Sequence, residues 1–179
     1  MENHLFFIAG VHGVGKGTLC KEFAKRLPAD HLVASDLIRK KRDLNNSKIV
    51  TKALSNQEIL LEEFKKHDSS FPYILLDGHS CLLDSNKNLI KLPIDLFKEL
   101  KIKKILLLIS EPELIHKRLI QRDGDKAILT VKDLSLLQQA EKEHSKFISK
   151  ELDIPFIEFD TSKDTEQAFL EQLIQDLKG

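Results

Sequence analysis

The chain has 179 residues, 41% of them apolar and 31% charged, an ordinary soluble composition that suits one domain with a real core. It carries 28 basic and 28 acidic residues, and a net charge of zero argues against a general nucleic-acid or membrane surface. Cys20 and Cys81 form no CxxC pair and the seven histidines show no HxxxH spacing. No zinc site is therefore expected, and the thiols are expected to stay reduced in a cytoplasmic protein.

Taken in chain order, LFFIA (5–9) reads as a buried strand and runs straight into GVHGVGKGT (10–18). It is too short for a membrane span and lacks the basic lead of a secretory signal. A helix is predicted over 17–27, followed by a less continuous strand, HLVAS (31–35). Residues 56–67 place Ile59, Leu60 and Phe64 at helical spacing. YILLD (73–77), KILLLIS (104–110) and PFIEF (155–159) are further continuous apolar runs, as expected of strands covered on both faces. Residues 84–93 read as a loop or small hairpin. Helices are predicted over 112–122, where Pro112 suits the first turn, over 132–150 as a long polar helix, and over 164–178. This alternation predicts a three-layer α/β fold with a five-stranded, mostly parallel sheet flanked by helices, in a single domain spanning 1–179, and the glycine loop of residues 10–18 would make it a P-loop NTPase fold.

The glycines of residues 10–18 explain the first motif. A phosphate cradle needs backbone N–H groups converging on an anion, with no side chains in the way. His12, Gly13, Val14, Gly15, Lys16, Gly17 and Thr18 supply that loop, and the helix behind it adds free N–H groups and a positive dipole end. Lys16 supplies a point charge for the β- and γ-phosphates. ATP is the expected nucleotide and Mg²⁺ the expected metal, held by the Thr18 hydroxyl and by Asp77 at the end of the third strand. The plainer reading of Asp77 is a turn cap beside Gly78. His79 either positions a water or a phosphate, or serves as a structural hydrogen-bonder. Arg118 and Arg122 lie four apart on one helix face. There they would clamp the transferring phosphoryl, or else form a solvated basic face with Lys117. The segment of about 122–132, with Gly124 as hinge, is a candidate lid that would exclude water. SDLIR (35–39) places Asp36 and Arg39 near the acceptor, in a helical acceptor-binding segment of about 36–70. Asp36 would contact the substrate, or act as base if the acceptor is a hydroxyl.

GVHGVGKGT resembles the phosphate loop of adenylate kinases and related nucleoside monophosphate kinases, which carry the same GKGT variant. SDLIR resembles their segment with an acceptor-phosphate arginine, which implies that role for Arg39. Residues 77–119 are similar to the archaeal-type branch, in which an Asp-x-His follows the buried strand, a short loop leads to a Leu-Pro helix and an arginine helix comes next. Asp-x-His is also similar to the ribosome-associated atypical adenylate kinases. The resemblance implies transfer of the ATP γ-phosphoryl to a nucleoside monophosphate such as AMP, and a loop after the last strand, DTSK (160–163) with Ser162, against adenine.

This chain departs from that group at several points. Where bacterial adenylate kinases have Asp-Gly-Phe-Pro-Arg, it has Asp77, Gly78, His79, Ser80 and Cys81, so a second acceptor-phosphate arginine is missing. His12 replaces a common proline, Lys126 stands where lid arginines are expected, and two cysteines cannot build a four-cysteine zinc lid. ATP binding is thus better supported than AMP as acceptor. Two other functions compete: a small-metabolite kinase of the shikimate or gluconate type, and a slow ATPase switch or assembly factor. No NKxD guanine signature is present, and the chain leaves no room for the C-terminal helical domain of an AAA+ motor.

Overall fold

The structure is a computed structural model that describes residues 3–45, 55–84, 86–124, 129–163 and 166–178. Strands and helices follow in the order β1 (His4–Ala9), α1 (Lys16–Arg26), β2 (Ala29–Val33), α2 (Ala34–Asn45), α3 (Asn56–Lys66) and β3 (Tyr73–Asp77). Then come β4 (Cys81–Leu83), β5 (Leu89–Lys91), α4 (Ile94–Leu100), β6 (Lys104–Ile109), α5 (Pro112–Asp123), α6 (Val131–Leu152), β7 (Phe156–Asp160) and α7 (Glu166–Lys178). The main sheet has the order β2–β3–β1–β6–β7, with every neighbouring pair parallel. A separate antiparallel hairpin pairs β4 with β5. Among the described residues no helix is long and apolar enough to cross a membrane.

The continuous apolar runs make sense because both faces of the sheet are covered. Side chains alternate across a strand. Phe6 and Ile8 of β1, Leu75 of β3 and Leu106 and Leu108 of β6 therefore enter one core with Leu19 and Phe23 of α1, Leu134 and Leu137 of α6 and Leu170 of α7. Leu5, Phe7 and Ala9, Ile74 and Leu76, and Ile105 and Leu107 enter the other, with Leu60 of α3 and Leu96, Phe97 and Leu100 of α4. Reciprocal capping boxes start two of the helices: Ser55 with Glu58 for α3, and Thr130 with Asp133 for α6.

The elements expected from the sequence recur with shifted ends, and two shifts have physical causes. The second strand ends at Val33, two residues earlier than expected. β2 pairs with β3 from Ala29 opposite Tyr73 to Val33 opposite Asp77, and β3 then turns away at Gly78. Ala34 and Ser35 have no strand to pair with and open α2 instead. The last strand runs Phe156–Asp160 because Pro155 has no N–H to donate, although its carbonyl still accepts from Ile105. The 84–93 segment belongs to a hairpin, with strands at Cys81–Leu83 and Leu89–Lys91. The expected helical segment of 36–70 consists of α2 and α3, and residues 46–54 between them lie outside the described residues. So do residues 125–128 of the candidate lid, Lys126 included.

Strand order creates the place for a site. β1 and β6 are neighbours, and the connection from β1 leads to β2 on one side while that from β6 leads to β7 on the other. Ligands of open α/β sheets enter the crevice at such a point, beyond the C-terminal strand ends. Ile8 of β1 stands beside Asp77 of β3, which brings the end of β3 against the start of the glycine loop.

Candidate phosphate and acceptor site

The loop after β1 bends through backbone that only glycine adopts easily. Gly10 has φ 142°, and a Cβ there would lie 2.7 Å from the Leu108 carbonyl oxygen. Gly15 has φ 115° and precedes the first turn of α1 with no side-chain cap. The opening N–H groups of a helix have no intrahelical acceptor, so those of α1 remain available for an anion. Residues 12–18 all line a cleft of about 1720 Å³.

Lys16 is buried, and its Nζ donates to the carbonyls of Gly10 (2.7 Å) and Val11 (3.3 Å). It lies 3.7 Å from Asp77 Oδ1. Burial lowers its pKa, and the charges of Asp77 and Glu141 oppose that shift. Asp77 Oδ2 is 3.8 Å from His31 Nε2, a buried atom with no hydrogen-bond partner among the described residues. His12 and His79 meet at 4.2 Å between ring centroids. His79 is held by the Gly10 backbone; burial, then the charge of Lys16, then His12 push its pKa well below the usual 6.5. Burial, then Lys16 and Arg122, lower that of His12. Both shifts favour the neutral imidazole, although the His12 side chain is itself exposed to solvent.

Glu141 of α6 went unnoticed in a helix read simply as polar. Its carboxylate is buried and accepts from the backbone N–H of Gly10 (3.3 Å), Ser80 (2.8 Å) and Cys81 (2.7 Å). Burial raises its pKa, while those bonds and Lys16 hold it down. One carboxylate therefore ties the start of the phosphate loop to the turn that carries Asp77 and His79. A signal was present: Leu134, Leu137, Glu141, Ser145 and Ile148 follow helical spacing, which puts Glu141 on the buried stripe.

Of the expected clamp, Arg118 lines the cleft and donates to the Val14 carbonyl (3.2 Å) and to Thr161 Oγ1 (3.4 Å), bracing the loop. Arg122 also lines it but forms a two-pronged pair with Asp123. Two expectations need correction, those for Asp36 and Ser162. Asp36 does not line the cleft; it is exposed and paired with Arg39 at 2.8 Å, because an i, i+3 partner on α2 is within reach. Arg39 lines the cleft, but with its guanidinium on Asp36 rather than free. Ser162 donates back to Asp160 at the end of β7 and does not reach the cleft; Thr161, donating to the Val14 carbonyl at 3.1 Å, lines it instead. Both cysteines are free and buried, and no group of three metal-ligating side chains occurs among the described residues.

A family model described as an AAA domain matches residues 9–134, from the end of β1 into α6. The chain belongs to that family. Its fold is also that of several solved kinases. Shikimate kinase from Acinetobacter baumannii, in complex with shikimate, superposes with a TM-score of 0.64 at 13% identity, covering 98% of this chain and 93% of that one. Shikimate kinase from Bacteroides thetaiotaomicron gives 0.58 at 16%, covering 98% and 99%. The YorR protein from Bacillus subtilis, in complex with phosphorylated GDP, gives 0.59 at 17%, covering 97% and 95%. At such identities these likenesses attest the fold. No curated protein sequence matches the chain. The adenylate kinase branch implied by the motifs is not singled out by these comparisons.

Proposed function

We propose that the chain is an ATP-dependent kinase that moves the γ-phosphoryl of ATP onto a hydroxyl of a small anionic metabolite. The observation that carries this reading is the continuity of the cleft. A single space of about 1720 Å³ is lined by the phosphate loop and also by Arg39, Arg42, Asn56, Gln57, Leu82 and Ile90, so donor and acceptor would share one cavity. That two solved neighbours are shikimate kinases favours a small metabolite over AMP as acceptor.

In this reading the loop 12–18 cradles the β- and γ-phosphates. Lys16 exchanges its carbonyl partners for a phosphate oxygen, and Arg118 orients the γ-phosphoryl. Asp77 and the Thr18 hydroxyl, two oxygen donors that line the cleft, would hold Mg²⁺, which would supply positive charge against the charge that develops on the phosphates. The acceptor oxygen attacks the γ-phosphorus, the bond to the β–γ bridging oxygen breaks, and ADP leaves. With Asp36 turned away, the hydroxyl proton passes to the neutral His79 imidazole, whose basicity rises as phosphate charge fills the cleft. Arg122 joins once released from Asp123. Residues 36–70 form the acceptor segment of the domain, and 122–132 its lid.

A second reading, transfer to a nucleoside monophosphate, is supported by the size of the cleft, larger than a typical single-ligand pocket, and by the phosphorylated GDP held by YorR. The deciding experiment measures ATP consumption with Mg²⁺, alone and with shikimate, gluconate, AMP, CMP, GMP and UMP, beside Lys16→Ala. Stimulation by a hydroxy acid, lost in the variant, supports the proposal. Stimulation only by a monophosphate replaces it with the second reading. Slow hydrolysis that none of them accelerates points to an ATPase switch.

A further inference from the structure

Two unlike groups of side chains outside the phosphate loop line the cleft, and each would form one wall of the proposed acceptor site. One is cationic and polar. Arg39 and Arg42 are three apart on α2 and lie on one side of it, with Asn56 and Gln57 at the start of α3. Their present partners are exchangeable: Arg39 sits on exposed Asp36, and Arg42 donates to Asn56 at 2.6 Å. Exposed pairs of this kind contribute little to the fold, so an incoming anion can displace them.

The other wall is aliphatic. Leu82 of β4 and Ile90 of β5 stand directly opposite each other across the hairpin. Both line the cleft, yet they remain 38% and 44% exposed. A two-stranded hairpin with one packed face ordinarily turns polar residues to the other. Here Leu83 packs on the main core, and the opposite face also presents apolar side chains. The hairpin is held from several directions. Leu92 N–H donates to the Ser80 carbonyl, Cys81 N–H to Glu141, the N–H groups of Asn86 and Asn88 to Asp84, and Lys87 to Asp133 of α6. An apolar surface kept at a fixed place beside a cationic one is a preorganised binding surface.

We infer that the acceptor is an amphipathic anion: a small hydroxylated molecule whose carboxylate or phosphate takes Arg39 and Arg42 while an apolar ring face or chain rests on Leu82 and Ile90. The inference rests on the kinase reading for the hydroxyl and on the two walls alone for the rest. It sets polyols apart, since they would leave both leucine and isoleucine wet or strip their own hydroxyls of water.

The test uses 1-anilinonaphthalene-8-sulfonate, an aryl anion that matches both walls, with the full chain in Mg²⁺ and saturating non-hydrolysable ATP analogue. Expected is saturable fluorescence with one probe per chain, weakened about tenfold by Leu82→Asn, by Ile90→Asn and by Arg39→Ala. The affinity for the ATP analogue is retained in each variant, which reports that the variants fold. Gluconate should not displace the probe, and naphthalene-1-sulfonate should. Probe binding indifferent to either wall overturns the inference, as does displacement by the ATP analogue. So does probe binding that disappears as chains pair at higher concentration, which would assign the hairpin face to a second copy. Because the readout needs no turnover, two-walled probe binding without any kinase activity would retain the site and remove the kinase reading; kinase activity without two-walled binding would do the reverse.

Discussion

The two ends of the cleft are built in different ways. At the donor end, charged groups are buried and already bonded to backbone: Lys16 to two carbonyls and Glu141 to three N–H groups. At the acceptor end, the arginines are exposed and bonded to side chains beside them, Arg39 to the Asp36 carboxylate and Arg42 to the Asn56 amide. The difference teaches where recognition energy is stored. A donor site that meets the same triphosphate each time can be fixed in advance, at a cost in buried charge that the fold must offset. An acceptor site made of surface pairs keeps its arginines solvated until a ligand replaces their partners.

Lys16→Ala tests the donor end most severely. Loss of the buried cation should lower ATP turnover by about 10³-fold or more, and an active variant would remove the mechanism. Glu141→Ala comes next. It strands the N–H groups of Gly10, Ser80 and Cys81 in the interior, which should cost about 3 kcal/mol of stability in urea unfolding, with Glu141→Gln costing less because one acceptor oxygen remains. If Glu141→Ala unfolds like the parent chain, the donor end is not prebuilt. Gly15→Ala should cost about 1–3 kcal/mol. The penalty is conformational, at φ 115°, since the nearest atom to a new Cβ is Thr161 Cγ2 at 3.9 Å. A gain in Tm would show that the loop relaxes freely.

The histidine pair sharpens the comparison through pH. Both imidazoles have pKa values lowered from 6.5 in the folded chain, so below that pH the unfolded chain binds more protons and stability falls as pH drops; above it their contribution is constant. Urea midpoints between pH 7 and 5 should therefore decline more steeply for the parent chain than for a His12→Asn, His79→Asn double variant. Equal slopes would mean that the pair does not bind protons more weakly in the folded chain. The smallest effect on the fold is expected of Arg39→Ala. Its unfolding midpoint should stay with the parent's, while the KM for the acceptor rises about tenfold at unchanged kcat, the mark of lost uniform binding.

Much of the fold was legible because it is written in contiguous residues. The apolar runs of β1, β3 and β6 announce strands covered on both faces, and the loop 10–18 announces a cradle. Pro112, in the first turn of α5, marks a helix start. Around the site, Lys16, Thr18 and Asp77 gather as their spacing suggested, and Arg118 joins them. Asp36 and Ser162 were misread for one reason: each has a hydrogen-bond partner two or three residues away, and that local bond wins over a distant cavity. Glu141 was missed because its three partners are 60 to 131 residues away in sequence.

The sequence by itself determined the glycine loop and the layered α/β architecture, since a glycine-rich loop and a buried strand are both properties of short, continuous stretches. The tertiary structure alone decided which carboxylate fastens that loop, which way Arg39 points, and that Leu82 and Ile90 face a cleft rather than a core. Those outcomes depend on sheet order and strand register, and a one-residue shift in register would turn each hairpin side chain to the opposite face.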